Sequence, residues 1–281
     1  MSSRAHSRYL GRRACLATLH DKLDLIAPAM ESHLGLEVFV EGVDTDRFGT
    51  FSGEVPRPRS AYETALIKAR AGMVASDARF GLASEGSIGT NSFFPLVSDV
   101  EFVVFIDDEE GFEVAEQATS FDIVAHRWVV DDLRTDGDQL HRAGFPSHGL
   151  IVHPEDSSLP VFKGIHDLDE LESAVRTCRS SGSAQVVIES DLRANHCPSR
   201  RPTIRRAAER LAERLTKHCP SCECPGWGPV DEVRGRKCAE CRWPTNERLA
   251  LVMGCCRCDL RRTDQVTTEP GDPSRCPRCN P

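Results

Sequence analysis

The chain has 281 residues and a mass of 31.1 kDa, with 40% hydrophobic and 28% charged residues, a globular balance that excludes wholesale disorder. No apolar run approaches the ~20 residues that span a bilayer, so no membrane association is expected. The formal net charge of −8 disfavours a general nucleic-acid coat, because phosphate backbones reward positive surfaces.

The first part reads as alternating strands and helices. Residues 14–19 form a short apolar run, followed by a helix whose Leu23, Ile26, Met30 and Leu34 share one face. Leu36–Val40 reads as a second strand, and the Gly-, Pro- and Asp-rich segment 44–59 as a long functional loop. Ser60 then reads as an N-cap, with Glu63 as its capping-box partner and a helix through Met73. Phe80–Ala83 is a strand running into a turn over 84–89. Residues 100–107 form a strong strand with 111–117 as its hairpin partner. A helix is expected over 130–142, ending at Gly144, and another over 168–178 between strands 149–154 and 184–190. Residues 201–218 form an amphipathic helix with Ile204, Ala207, Leu211 and Leu215 on its apolar stripe.

The cysteines are distributed unevenly. Of thirteen, only Cys15, Cys178 and Cys197 precede residue 219. The rest include four C-x-x-C pairs: Cys219/Cys222, Cys238/Cys241, Cys255/Cys258 and Cys276/Cys279. Doubling at two-residue gaps is unlike a disulfide scaffold. The amino terminus has arginines but no sustained apolar core of a secretory signal. Both observations predict a reducing, cytoplasmic location.

Each C-x-x-C knuckle offers two thiolates, so two knuckles complete one tetrahedral zinc site. Chain order puts Cys219, Cys222, Cys238 and Cys241 on a first structural zinc and Cys255, Cys258, Cys276 and Cys279 on a second. An interleaved scheme, pairs one and three against two and four, satisfies the spacing equally. Cys224 and Cys256 are left over, with Cys256 able to compete with Cys255. The tail has too few apolar residues to fold alone, whereas structural zinc contributes about 10–16 kcal/mol of apparent binding energy. We therefore expect two units, an α/β domain over 12–217 and tandem zinc ribbons over 218–281.

Candidate chemistry in the first unit centres on residues 52–89. Lys68 and Arg70 supply cations; Glu63 and Glu85 supply carboxylates, Glu85 among glycines that permit close backbone approach. A carboxylate there suits Mg²⁺ against a polyphosphate, since hard cations prefer oxygen ligands. The plain alternative makes Glu63 only a capping residue and the basic side chains a solvated face. Asp191, Arg193, Asn195, His196 and Arg200 follow the 184–190 strand, at the strand end where α/β ligands commonly bind. The helix carrying Arg205, Arg206, Arg210 and Arg214 is the expected meeting place, with the ribbons, for nucleic acid or a protein partner.

The stretches ETALIKARAGM (63–73) and FGLASEGSIG (80–89) resemble the inosine/xanthosine triphosphate pyrophosphatase superfamily, as does SGEVPRPRS (52–60). ATLHDK is similar to that family's phosphate loop, with Thr18 and Lys22 as counterparts and His20 in place of an asparagine. AGFPSHGLIVHP (143–154) resembles its base-pocket segment, placing His148 near the base or ribose. HCPSRR (196–201) resembles the segment opening its last helix, with Arg200 or Arg201 as the arginine. The chain also looks like an uncharacterised bacterial domain-of-unknown-function family, on its E-G-S-x-G turn and its D-x-R-A segment.

The resemblance implies a mixed elongated sheet with flanking helices and a Mg²⁺-dependent pyrophosphohydrolase acting on a nucleotide or other phosphorylated small molecule. Lys22, Lys68 and Arg200 would neutralise phosphate, Arg193 would assist, and Glu63 and Glu85 would bind metal or activate water. The alternative is a non-catalytic nucleotide sensor or a nucleic-acid- or protein-binding module.

Overall fold

The structure, a computed structural model, describes residues 7–48, 58–91, 94–130, 133, 136–155, 161–181, 185–265 and 268–281. Residues 49–57 of the expected functional loop, SGEVPR among them, lie outside these residues.

Strand β1 (Arg13–Ala17) leads into α1 (Leu23–Leu34) and β2 (Glu37–Val40); α2 (Ala61–Ser76) follows and enters β3 (Phe80–Asn91). Strands β4 (Phe94–Asp107) and β5 (Phe112–Ser120) complete a five-stranded sheet of order β2-β1-β3-β4-β5. Its β2, β1 and β3 run parallel, while β3, β4 and β5 are antiparallel. The sheet is mixed and flanked by helices, as expected of the fold class.

Period-two alternation sends the sheet's side chains to two cores. Phe80, Leu82, Val103, Phe105, Phe112 and Val114 pack with α1 and with α5 (Arg201–Leu215). Ala83, Val104 and Ile106 face Ala65, Ala69 and Met73 of α2. A Cβ at Gly81 would stand 2.5 Å from the Met73 sulfur, so glycine is what lets α2 lie this close.

A second, fully antiparallel sheet has the order β6-β9-β7-β8, from β6 (Arg127–Val129), β7 (Leu150–Pro154), β8 (Phe162–Ile165) and β9 (Val186–Ser190). Helix α4 (Leu168–Ser180) covers it through Leu171, Ala174, Val175 and Cys178. The tail adds a three-stranded sheet, β10 (Gly228–Arg234), β11 (Arg248–Gly254) and β12 (Arg261–Gln265).

Two expectations need correction. The segment 84–89 is no turn: it continues β3, paired rung by rung with β4 from Ser84↔Val103 to Gly89↔Ser98. The helix expected over 130–142 reduces to α3 (Gly137–Arg142); Val130 instead continues the pairing of β6 by donating to the Val186 carbonyl at 2.8 Å, and Asp131, Asp132, Arg134 and Thr135 lie outside the described residues. Gly144 does adopt the left-handed conformation, with φ 70°.

Candidate active site and thiolate centres

The last rung joining β1 to β3 is Ala17↔Ala83. Beyond it β1 stops and the chain turns through Thr18–Lys22, with Asp21 left-handed at φ 48°, while β3 runs on against β4. From Ser84 onward this edge of β3 has no strand partner among the described residues, at the carboxyl end of a parallel strand where α/β proteins bind ligands. The resulting crevice is lined by Thr18, His20, Lys22, Thr45, Lys68, Ser84, Glu85 and Arg200.

Lys22 donates its ammonium to the Ser84 carbonyl at 3.3 Å and is only 6% exposed. From one face of the sheet, Lys68 on α2 meets Glu85 at 2.7 Å, both buried. On the opposite face, fully buried Arg200 donates from Nε to Glu101 at 2.7 Å and also bonds the Leu192 carbonyl. A Cβ at Gly86 would lie 2.4 Å from an Arg200 nitrogen and 2.8 Å from Glu101. Glycine at this rung therefore makes the arginine–carboxylate pair possible.

Buried charge of both signs perturbs the titrations. Burial holds the Lys22 ammonium down at about 8, against the pull of Glu101 and Glu85. Burial, followed by the Glu101 charge, pushes Asp99 up to about 7. The Ser84 hydroxyl, Glu101 Oε2 and both Asp99 oxygens are buried without a hydrogen bond of good geometry among the described residues. Native interiors seldom leave such atoms without a ligand or water.

Five of the residues singled out from sequence converge here: Thr18, Lys22, Lys68, Glu85 and Arg200. Glu63 does not. Its carboxylate accepts from the Ser60 backbone and hydroxyl at 3.0 and 2.8 Å, completing a capping box on an exposed helix turn. His148 and Arg193 belong to the second sheet's surroundings. His148 Nε2 meets the Ser199 hydroxyl at 3.2 Å, and Arg193 pairs with buried Asp191. Close by, His166 and His196 touch at 2.9 Å.

Glu101 and Asp99 escaped the sequence reading. Their signal was present: two carboxylates at i and i+2 within an apolar strand whose faces are both buried.

The tail assembles two four-thiol groups, Cys219/Cys222/Cys255/Cys258 and Cys238/Cys241/Cys276/Cys279, each with all Sγ atoms within 4.8 Å of one another. Sulfur pairs across the knuckles lie 3.7 and 3.6 Å apart in the first group and 3.9 and 3.5 Å in the second. A tetrahedral zinc with sulfur at 2.3 Å has S–S edges of about 3.8 Å, so the donor sets fit zinc.

The pairing is the interleaved one and corrects the chain-order assignment. The β10–β11 hairpin explains it: knuckle one precedes β10 and knuckle three follows β11, so both sit at the Gly228↔Gly254 end. Knuckle two lies in the connection at the other end, where Cys238 bridges to Gly271 beside knuckle four.

The first thiol group is continuous with the main core. Cys219, Cys224 and Cys255 are buried among α1, α5 and the large sheet. Arg214 of α5 bonds the Gly226 carbonyl at 2.9 Å and Glu116 at 2.8 Å; Arg210 bonds the Gln117 carbonyl at 2.8 Å. Arg201 and Arg205 both face Asp24. Much of the arginine row proposed for nucleic acid is thus engaged with this chain's own groups.

No helix among the described residues is long and apolar enough to cross a membrane. No curated protein matches the chain significantly. Residues 68–281 match the family described as a domain of unknown function, DUF6671, a span that takes in Lys68, Glu85, Glu101, Arg200 and all four knuckles. The chain therefore belongs to the DUF6671 family.

Proposed function

We propose that the crevice binds the phosphate chain of a nucleotide and hydrolyses a phosphoanhydride, with a magnesium ion as the hard cation. The observation that carries this reading is the convergence of three buried cations, Lys22, Lys68 and Arg200, with Glu85 and Glu101 around one strand end. Phosphoryl transfer needs placed positive charge more than it needs a protein nucleophile. Lys22 donates to the Ser84 carbonyl at the strand end, while Lys68 and Arg200 pair with Glu85 and Glu101.

The carboxylate suited to magnesium is that of Glu85, the one that lines the crevice, while Glu101, on the opposite face of the sheet, holds Arg200 in place. When bound, the cation screens charge on the phosphate oxygens and lowers the pKa of a coordinated water. Glu63 has no part in this scheme, since its carboxylate is committed to the helix cap.

The test is magnesium-dependent release of pyrophosphate from a panel of nucleoside triphosphates, comparing the protein with its Glu85→Gln variant. Turnover that is lost in the variant supports the reading. Nucleotide binding without turnover by the parent protein selects the sensor alternative. Neither binding nor turnover rejects both.

A further inference from the structure

The two ribbons are built on one plan. Cys219-x-x-Cys222-Glu223-Cys224-Pro225 corresponds to Cys238-x-x-Cys241-Arg242-Trp243-Pro244. Glu223 and Arg242 are both left-handed, at φ 57° and 60°. The closing bonds also correspond, Cys219 N to Cys224 O and Cys238 N to Trp243 O, both at 2.9 Å. In the returning knuckles, Cys255-Cys256-Arg257-Cys258 corresponds to Cys276-Pro277-Arg278-Cys279. The ribbon plan thus needs no sulfur at the positions of Cys224 and Cys256, because the second ribbon fills them with Trp243 and Pro277.

In the first ribbon both positions are cysteine, and they meet. Cys224 Sγ lies 3.7 Å from Cys256 Sγ, a separation equal to that between Cys219 and Cys258. Cys224, Cys255 and Cys256 hold all their sulfurs within 4.8 Å of one another. Cys255 is common to this trio and to the four-thiol group, and a zinc-bound thiolate retains lone pairs for a second ion. Around the nest, Arg214, Arg257 and Arg261 bond the carbonyls of Gly226, Cys222 and Cys255, placing positive charge beside the thiolates.

We infer that the first ribbon carries a second metal position, formed by Cys224, Cys256 and bridging Cys255, that takes a soft thiophilic ion of the copper(I) class. Three thiolates leave zinc short of its tetrahedron, whereas a soft monovalent ion is satisfied by thiolate sulfur alone. Binding releases the thiol protons of Cys224 and Cys256, which now point toward the Pro225 carbonyl at 3.4 and 3.1 Å, and changes no oxidation state. The inference rests on the zinc assignment of the four-thiol groups, so zinc is counted separately in the test.

Full-length, zinc-loaded protein is titrated anaerobically with copper(I) supplied as an acetonitrile complex. Thiolate-to-copper absorbance reports binding, and a colorimetric chelator reports zinc release. The expected result is one tightly bound copper per chain with all zinc retained. Cys224→Ala and Cys256→Pro, the latter matching the residue in the second ribbon, should each abolish this equivalent while leaving zinc content unchanged. Copper that binds only by displacing zinc, or that binds equally in both variants, would overturn the inference. A variant that loses zinc is replaced in the comparison by Cys224→Ser, which keeps the side chain's size.

Discussion

Glu63 and Glu85 lie on consecutive elements and carry the same carboxylate, yet their surroundings commit them to different tasks. Glu63→Gln leaves a capping-box residue of the same length, so we expect a small change in melting temperature and no change in nucleotide binding. Glu85→Gln leaves Lys68 buried without its counter-charge, which typically costs about 3–5 kcal/mol. Adding Lys68→Met should recover much of that stability, because the buried charge is gone, without recovering binding. Recovery of binding in the double variant would remove the pair from the site. Titration gives a second test at this scale. Lys22 loses its proton near pH 8 in the folded chain and at 10.5 otherwise. Phosphate affinity should therefore fall as pH rises through about 8, and Lys22→Arg should move that fall to higher pH. The same shift makes Lys22's contribution to stability rise between about 8 and 10.5, where the unfolded chain binds the extra proton. An affinity that is flat across this range in the parent protein would exclude Lys22 from phosphate binding.

At the scale of elements, the local signals that carried over best were caps and periodicity. The capping box Ser60/Glu63, the left-handed Gly144 and the apolar stripe of α5 were all legible, since each is decided within one turn of chain. The misread segments were decided by partners distant in sequence. Residues 84–89 look like a turn because they are rich in Gly and Ser, but β4 supplies a hydrogen-bonding partner for every rung. Val130, expected to open a helix, continues the strand pairing instead because Val186 of β9 accepts its N–H. The same dependence on distant partners concealed Asp99 and Glu101, whose role depends on Arg200 arriving at the start of α5, 99 residues beyond Glu101. Asp99 gives this strand a pH signature. Its pKa rises from 3.8 to about 7 on folding, so it contributes stability at low pH that is lost as pH climbs through about 7. We expect the stability advantage of Asp99→Asn over the parent to grow from about pH 4 to pH 7 and then level off. Chemical-denaturation midpoints measured across pH check it, and a difference independent of pH would show that Asp99 titrates normally.

Across the whole molecule, knuckle spacing picked out the cysteines that cluster but could not choose between the pairings, because pairing depends on where the β10–β11 hairpin returns the chain. The pairing has a consequence that a detached tail would lack. The first thiol group lies against the core shared by α1, α5 and the five-stranded sheet, and Arg257 ties its knuckle to Glu110 at the turn between β4 and β5. The second group has its thiols at the far end of the small sheet, away from that core. Zinc held at the first position would therefore help keep the α/β domain together, while zinc held at the second would order only the end of the tail. Cys222→Ser should lower the melting temperature of the entire chain and weaken nucleotide binding through the loss of its fold. Cys241→Ser should leave the main unfolding transition in place and increase proteolysis within residues 236–281 alone. Hydrogen exchange read separately over β3–β5 and over the second ribbon distinguishes the two. Equal effects of the two substitutions on β3–β5 would mean that the ribbons fold as one detached unit.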